Sequence, residues 1–177
     1  MKLLPRISPA LLALAAFAFV LLSQRADSVF AASVPSVAIN VAKAGPRPVE
    51  DTTQKAVARD YASAWQAMAD ALDQNRADLL GANFAGTAND KLMATIQAQG
   101  RTGLHQRIID RGHTVDAVFY SSEGSAMELH DTARLRLQLM DGDKIVHSED
   151  ATLHYVVLLT PAENSWKVRV LEVVPAF

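Results

Sequence analysis

The final third of the chain constrains the fold most. Val115–Tyr120, Ala126–Met140, Ile145–Leu159 and Trp166–Val174 are apolar-rich and largely alternating, with only Ser121–Gly124, Asp141–Lys144 and Pro161–Ser165 between them. Such short connections join antiparallel neighbours, because a parallel crossover needs about a dozen residues or more. Helix-like segments precede these strands, and helices first with a strand meander last predicts one α+β domain.

Asp51 with Gln54 reads as the start of a helix. Val57, Tyr61, Trp65, Met68 and Leu72 then recur at three- and four-residue spacing, while Arg59, Asp60, Gln66 and Asp70 fall away from the stripe. Asn75 with Asp78 is expected to open a short second helix ending near Gly81, and Thr87 with Asp90 a third, carrying Leu92, Met93 and Ile96 towards Gly100 and Gly103. Phe84 falls between them as a core plug. His105–His113, with Arg107 and Arg111 inside it and Arg101 just before, is expected as a solvated basic loop.

In Met127–Leu139, the residues Met127, Leu129, Ala133, Leu135, Leu137 and Leu139 share one face, and Asp131 is the polar intruder among them. Asp141-Gly142-Asp143-Lys144 is a hairpin connection. The next strand loses its alternation at Ser148–Asp150, which predicts a bulge or a sheet covered on both faces at one end. In the last strand Glu172 is the polar intruder, counted from Trp166, Val168 and Val170.

At the N-terminus, Lys2 and Arg6 precede the uncharged run Pro9–Leu22. A helix of that length is shorter than the ~30 Å hydrocarbon core, which fits a signal-peptide apolar region. Val29 and Ala31 satisfy the small-residue rule for cleavage after Ala31; uncleaved, residues 1–31 remain as a single membrane anchor. Either way the basic N-terminus stays cytoplasmic and the rest is expected to cross, to a periplasmic or secreted location. Residues 32–50, with Pro35, Pro46 and Pro48, read as a linker, with Val37–Val41 a weaker candidate for a short edge strand. The folded domain is expected over 51–177.

Composition removes several functions. The net charge of −2 gives no basic surface for nucleic acid. The absence of cysteine removes disulfides, thiolate metal sites and a cysteine nucleophile. No phosphate loop, serine elbow or helical pair of metal-ligating histidines is present, so neither a metal nor a cofactor is expected.

About three helices wrapped in the concave face of a curved four-stranded meander, after a separate apolar helix, resembles the nuclear transport factor 2-like superfamily. The residues that carry the resemblance are Tyr61 and Trp65 on the first helix, Val115–Ser121, and Trp166-Lys167-Val168 opening the last strand. It covers residues 51–177 and implies a cone-shaped domain, which some branches hold behind an N-terminal membrane span. It also implies that any acid/base residues lie inside the cone, where Asp131 and Glu172 are the catalytic candidates. His130 and His154 would join Asp131 if the second and third strands pair. Tyr61, Trp65, Phe84, Tyr155 and His154 would line a ligand pocket, whereas His113 and His147 read as exposed.

Two functions are compatible with this pattern. One is a non-enzymatic domain that binds a protein partner or itself through the outer face of the sheet and the apolar end Val173–Phe177. The alternative is a small-ligand binder or acid/base enzyme using the mouth of the cone, a reading that a filled interior would end.

Overall fold

The computed structural model describes Pro35 and residues 37–177. The apolar run expected as a signal or anchor lies outside the described residues. Among those described, no helix is long and apolar enough to cross a membrane.

Helix α1 (Asp51–Gln74) follows Glu50, which is extended and takes the N-cap position expected of Asp51. Gln54 does not close a capping box; its Nε2 donates to the Ile39 carbonyl at 2.6 Å. The helix stops where Asn75 turns left-handed (φ 53), so Asn75 ends a helix where it was expected to start one. Beyond it lies a single 3-10 turn, Ala77–Leu79. Helix α2 (Gly86–Thr102) ends at the left-handed Gly103. The three expected helices are therefore two, plus one turn.

Among the described residues five strands form one sheet in sequential order: β1 (Ile39–Asn40), β2 (Leu104–Tyr120), β3 (Met127–Asp141), β4 (Lys144–Ala162) and β5 (Ser165–Val174). The four long strands are the antiparallel meander that the alternation predicts. β1, drawn from the stretch expected as a spacer, adds to β2 in parallel by pairing Ile39 with Val115 and Asn40 with Asp116. That makes the sheet mixed.

Both helices pack on one face. Val57, Tyr61, Trp65, Met68 and Leu72 of α1 form a single core with Val115 and Ala117 of β2, Leu129, Ala133 and Leu135 of β3, Tyr155, Val157 and Leu159 of β4, and Val168 of β5. Trp65 is 3% exposed and Tyr61 1%. Enclosing rings of this size removes roughly 150–250 Å² each from water, or roughly 4–6 kcal/mol of transfer free energy before entropy is charged against it. Phe84, also buried, bridges to Val168 and closes the β5 edge.

Bulges decide which residues reach this core, because one unpaired residue reverses the parity of everything beyond it. β2 carries two, at Arg111 and Val118; β4 carries one at Val146, and β5 one at Arg169. The expected irregularity at Ser148–Asp150 is absent, since those residues stay in register with Gln138, Leu137 and Arg136. His105–His113 is not a loop: it is the first half of β2, paired with β3 from Met140 to Ala133. At the Arg111 bulge Gly112 adopts φ 123, which a side chain would strain, and the Asp110 carboxylate accepts its N–H at 2.6 Å.

Candidate functional site

The helix-covered face of the sheet holds a buried polar cluster. Asp131, on the inward register of β3, is fully buried. The Tyr61 hydroxyl donates to its Oδ2 at 2.7 Å, and His113 Nδ1 lies 2.8 Å from the same atom and 3.1 Å from Oδ1. Towards an ionised carboxylate, which can only accept, the imidazole would present Nδ1–H. Its other nitrogen, Nε2, lies 3.4 Å from Asp110 Oδ2.

Aromatic rings wall the cluster. The Trp65 ring lies 4.6 Å from that of His113, and Tyr155 meets Trp65 edge-on at 5.3 Å. Burial pushes the Tyr155 hydroxyl up to about 12, with the nearby Asp131 charge adding to the effect. Burial first, and Asp131 second, drive Tyr61 upward as well.

Asp131 therefore sits in apolar surroundings, as its intrusion in the pattern predicts, but it does not face a cavity. The space bounded by Tyr61, Trp65, Phe84 and Val168 has no room for a water molecule. The hydrogen bonds of the cluster tie α1, β2 and β3 together.

The other expected site residues are dispersed. Glu172 is not inside: the Arg169 bulge takes Val170, Glu172 and Val174 out of the inward register, and Glu172 pairs with Lys91 of α2 around the edge that β5 forms. His130 and His154 lie on that outer face, one residue out of phase with Asp131 and Tyr155. His154 Nδ1 is 3.0 Å from the Thr132 hydroxyl. Phe177 stacks on His130 at 4.2 Å and meets His154 edge-on at 5.3 Å, and is still 55% exposed.

His113 is the opposite of its expectation, with a side chain wholly buried. Counting back by twos from Ala117 and Val115 would have placed it inside. Asp60 was also misread as solvent-facing; it is buried, and its Oδ2 accepts the Trp166 N–H at 2.8 Å where β5 begins. No spacing in the sequence signals that contact.

A different region carries the accessible surface. β5 reaches only as far as His154 along β4, so among the described residues Lys144–Leu153 has no strand on that side. Every residue from Asp141 to Asp150 is exposed, and Ile145 and Val146 are each 49% so. Arg136 pairs with Asp150 at 2.8 and 2.9 Å. On the inward side a groove of about 220 Å³ runs between the end of α2 and the hairpin, with Gln99, Leu137, Leu139, His147 and Glu149 along it. Among the described residues no group of His, Asp or Glu could hold a metal ion.

These elements define an α+β domain in which two helices cover one face of a largely antiparallel sheet. Neither protein-family models nor curated proteins match the sequence. Among solved structures the chain is similar to the intermembrane space region of the chloroplast protein ARC6, with a TM-score of 0.61 and 15% identity over 73% of this chain and 98% of that one. Aln2 from a Streptomyces species is also similar, at 0.47 and 15% identity over 72% of this chain and 93% of that one. The likeness to the ARC6 region speaks for a shared α+β fold.

Proposed function

We propose that the chain is a non-enzymatic interaction domain of nuclear transport factor 2-like type, held beyond the cytoplasmic membrane. One observation carries this reading: among the described residues the interior is closed while the first half of the β4 edge, Lys144–Leu153, is open. An enzyme or ligand carrier of this architecture needs space beside its polar groups, and Tyr61, Trp65 and Phe84 fill that space. Lys144–Leu153 instead offers unpaired backbone donors and acceptors, which an extended partner strand can complete. The fold shared with the ARC6 intermembrane space region supports the α+β assignment.

On this reading residues 1–31 export the domain or anchor it, and residues 32–50 connect that segment to the fold. β1 then marks where the connection is fastened to the sheet. The test is crosslinking of the full-length protein in intact cells, with mass spectrometry of its mature N-terminus. Recovery of a discrete crosslinked complex, with the domain protected from cytoplasmic protease, is the expected result. A cytoplasmic, strictly monomeric product that turns over a small molecule would overturn it.

A further inference from the structure

The outer face of the sheet, turned away from both helices, carries a strip of hydrogen-bond donors with one acid among them. Arg134 and Arg136 of β3 stand one residue out of phase with the buried Ala133 and Leu135, and Thr132 continues their row. Arg134 lies between Gly112 of β2 and Thr152 of β4, and Thr132 lies opposite Thr114. Gly112 has no side chain, and the Arg134 guanidinium occupies the space above it, with Nη2 3.2 Å from where a Cβ would be. The neighbouring bulge sets Arg111 outside the ladder register. Arg136, through its hydrogen bonds first and its charge next, holds the Asp150 carboxyl below the usual carboxylate range, and the Arg111 charge adds to that effect. Arg111 therefore stands on this face as well.

We propose that this strip docks an extended acidic segment of a partner protein, its carboxylates gripped by Arg111 and Arg134. The surface is the face of the sheet, so the contact is independent of strand addition at the bare stretch of β4. It shares with the interaction reading only that the ligand is a protein.

Charge and geometry name that chemistry. Arg136 already shows how the face holds a carboxylate, by two bonds to Asp150 of 2.8 and 2.9 Å. Arg107 is likewise taken, by Asp73. Arg111 and Arg134 are exposed, and among the described residues neither holds a carboxylate. Two uncommitted guanidiniums thus stand on neighbouring strands in a chain whose net charge is −2. The exposed Thr114 and Thr152 add hydroxyl donors, while the strip's one acid is consumed internally. Alternate side chains of an extended peptide recur at about 6.6–6.8 Å, the spacing of Thr132, Arg134 and Arg136 along β3. An anionic membrane fits less well, since such surfaces recruit clusters of about four to eight basic residues, and this chain is acidic overall.

The test is fluorescence anisotropy with the purified full-length protein. The probe is a labelled peptide of alternating glutamate and serine, compared with the same peptide carrying glutamine for glutamate. The glutamate peptide is expected to bind about tenfold more tightly or better, and added salt should weaken it. Arg111→Gln with Arg134→Gln should lower its affinity by about tenfold. Arg76→Gln with Arg101→Gln removes the same charge elsewhere and should leave the affinity within about twofold. Asp150→Asn should tighten binding severalfold, because it releases Arg136 and removes a charge of the ligand's own sign. Damage to the fold would not tighten it.

Equal binding of the two peptides, an affinity unmoved by the Arg111 and Arg134 changes, or weaker binding by Asp150→Asn overturns the proposal. So does binding to phosphatidylglycerol vesicles in place of the peptide. A crosslinked complex in cells that survives Arg111→Gln with Arg134→Gln removes this face and leaves the interaction reading standing.

Discussion

The two ends of the β3–β4 ladder are built from the same two strands and meet opposite fates. At one end Asp131 sits opposite Tyr155 and Leu129 opposite Val157, all beneath α1 and all buried. At the other end Leu137 sits opposite Glu149 and Leu139 opposite His147, beyond the reach of β5; Leu137 is half-buried and the other three are exposed. The inward register runs through both, so the pleat does not distinguish them. What differs is whether a helix lies above. Under the helix even a carboxylate is sealed in, provided that its oxygens are met by Tyr61 and His113. Outside it an apolar pair such as Ile145 and Val146 stays in water, and the strand's unpaired backbone becomes its main chemical feature.

Substitutions should separate the two ends sharply. Trp65→Ala, beneath the covered end, is expected to cost about 3–5 kcal/mol in denaturant unfolding. A loss below about 1 kcal/mol would mean that the indole is not the anchor of the core. Asp131→Ala should come next, since it orphans the Tyr61 hydroxyl and His113 Nδ1 at about 1–3 kcal/mol apiece. Asp131→Asn should recover part of this by keeping an acceptor, and equal losses in the two variants would argue against the hydrogen bonds.

Alkaline titration probes the same cluster without mutation. Burial raises the folded-state pKa of Tyr155 from 10.0 to about 12. The group is held neutral in the fold, so its contribution is complete below pH 10 and is lost as the pH climbs towards 12. Stability should therefore fall across that window by about 1.4 kcal/mol per pH unit for each such tyrosine. Tyr155→Phe should make the fall shallower while Tyr61 keeps its own share, and an unchanged slope would remove Tyr155 from the cluster. At the open end, Ile145→Ser should change stability by no more than about 0.5 kcal/mol. A larger loss in a monomeric sample would show that the hairpin tip is covered after all.

The contrast also explains which features could be read from the sequence. Met127 to Leu139 keeps its alternation with Asp131 as the one polar member, so its inward face is legible residue by residue, and so is the Tyr61–Trp65 stripe of α1. β2 was half lost because Arg111 and Gly112 break its count just where its apolar residues thin out; Gln106 and Asp110 face inward near the uncovered end, where nothing demands a hydrophobe. Glu172 was misplaced by a single residue, the unpaired Arg169, which reverses the face of everything after it. A bulge costs one position in sequence and announces itself by nothing else. Asp60 illustrates a further limit, because its partner is a backbone N–H at the start of β5, more than a hundred residues away.

Filling of the interior was beyond a one-dimensional reading. Asp131 looks the same in sequence whether it borders a cavity or a packed indole, and only the positions of Trp65 and Phe84 decide between the two. The open edge was equally hidden, because it arises from β5 being shorter than the strand it joins. Strand length is visible in the sequence, but the stretch of a neighbour left bare depends on the register.

The two-residue β1 has a consequence for how the domain is presented. Ile39 and Asn40 lie against β2, and Pro46 bridges to Tyr120, so the incoming chain is clasped to the sheet's first margin. Lys144–Leu153 opens towards the last. The clasp at β1 and the bare stretch of β4 therefore lie on opposite margins of one ribbon, so a strand added at the second would not disturb the first.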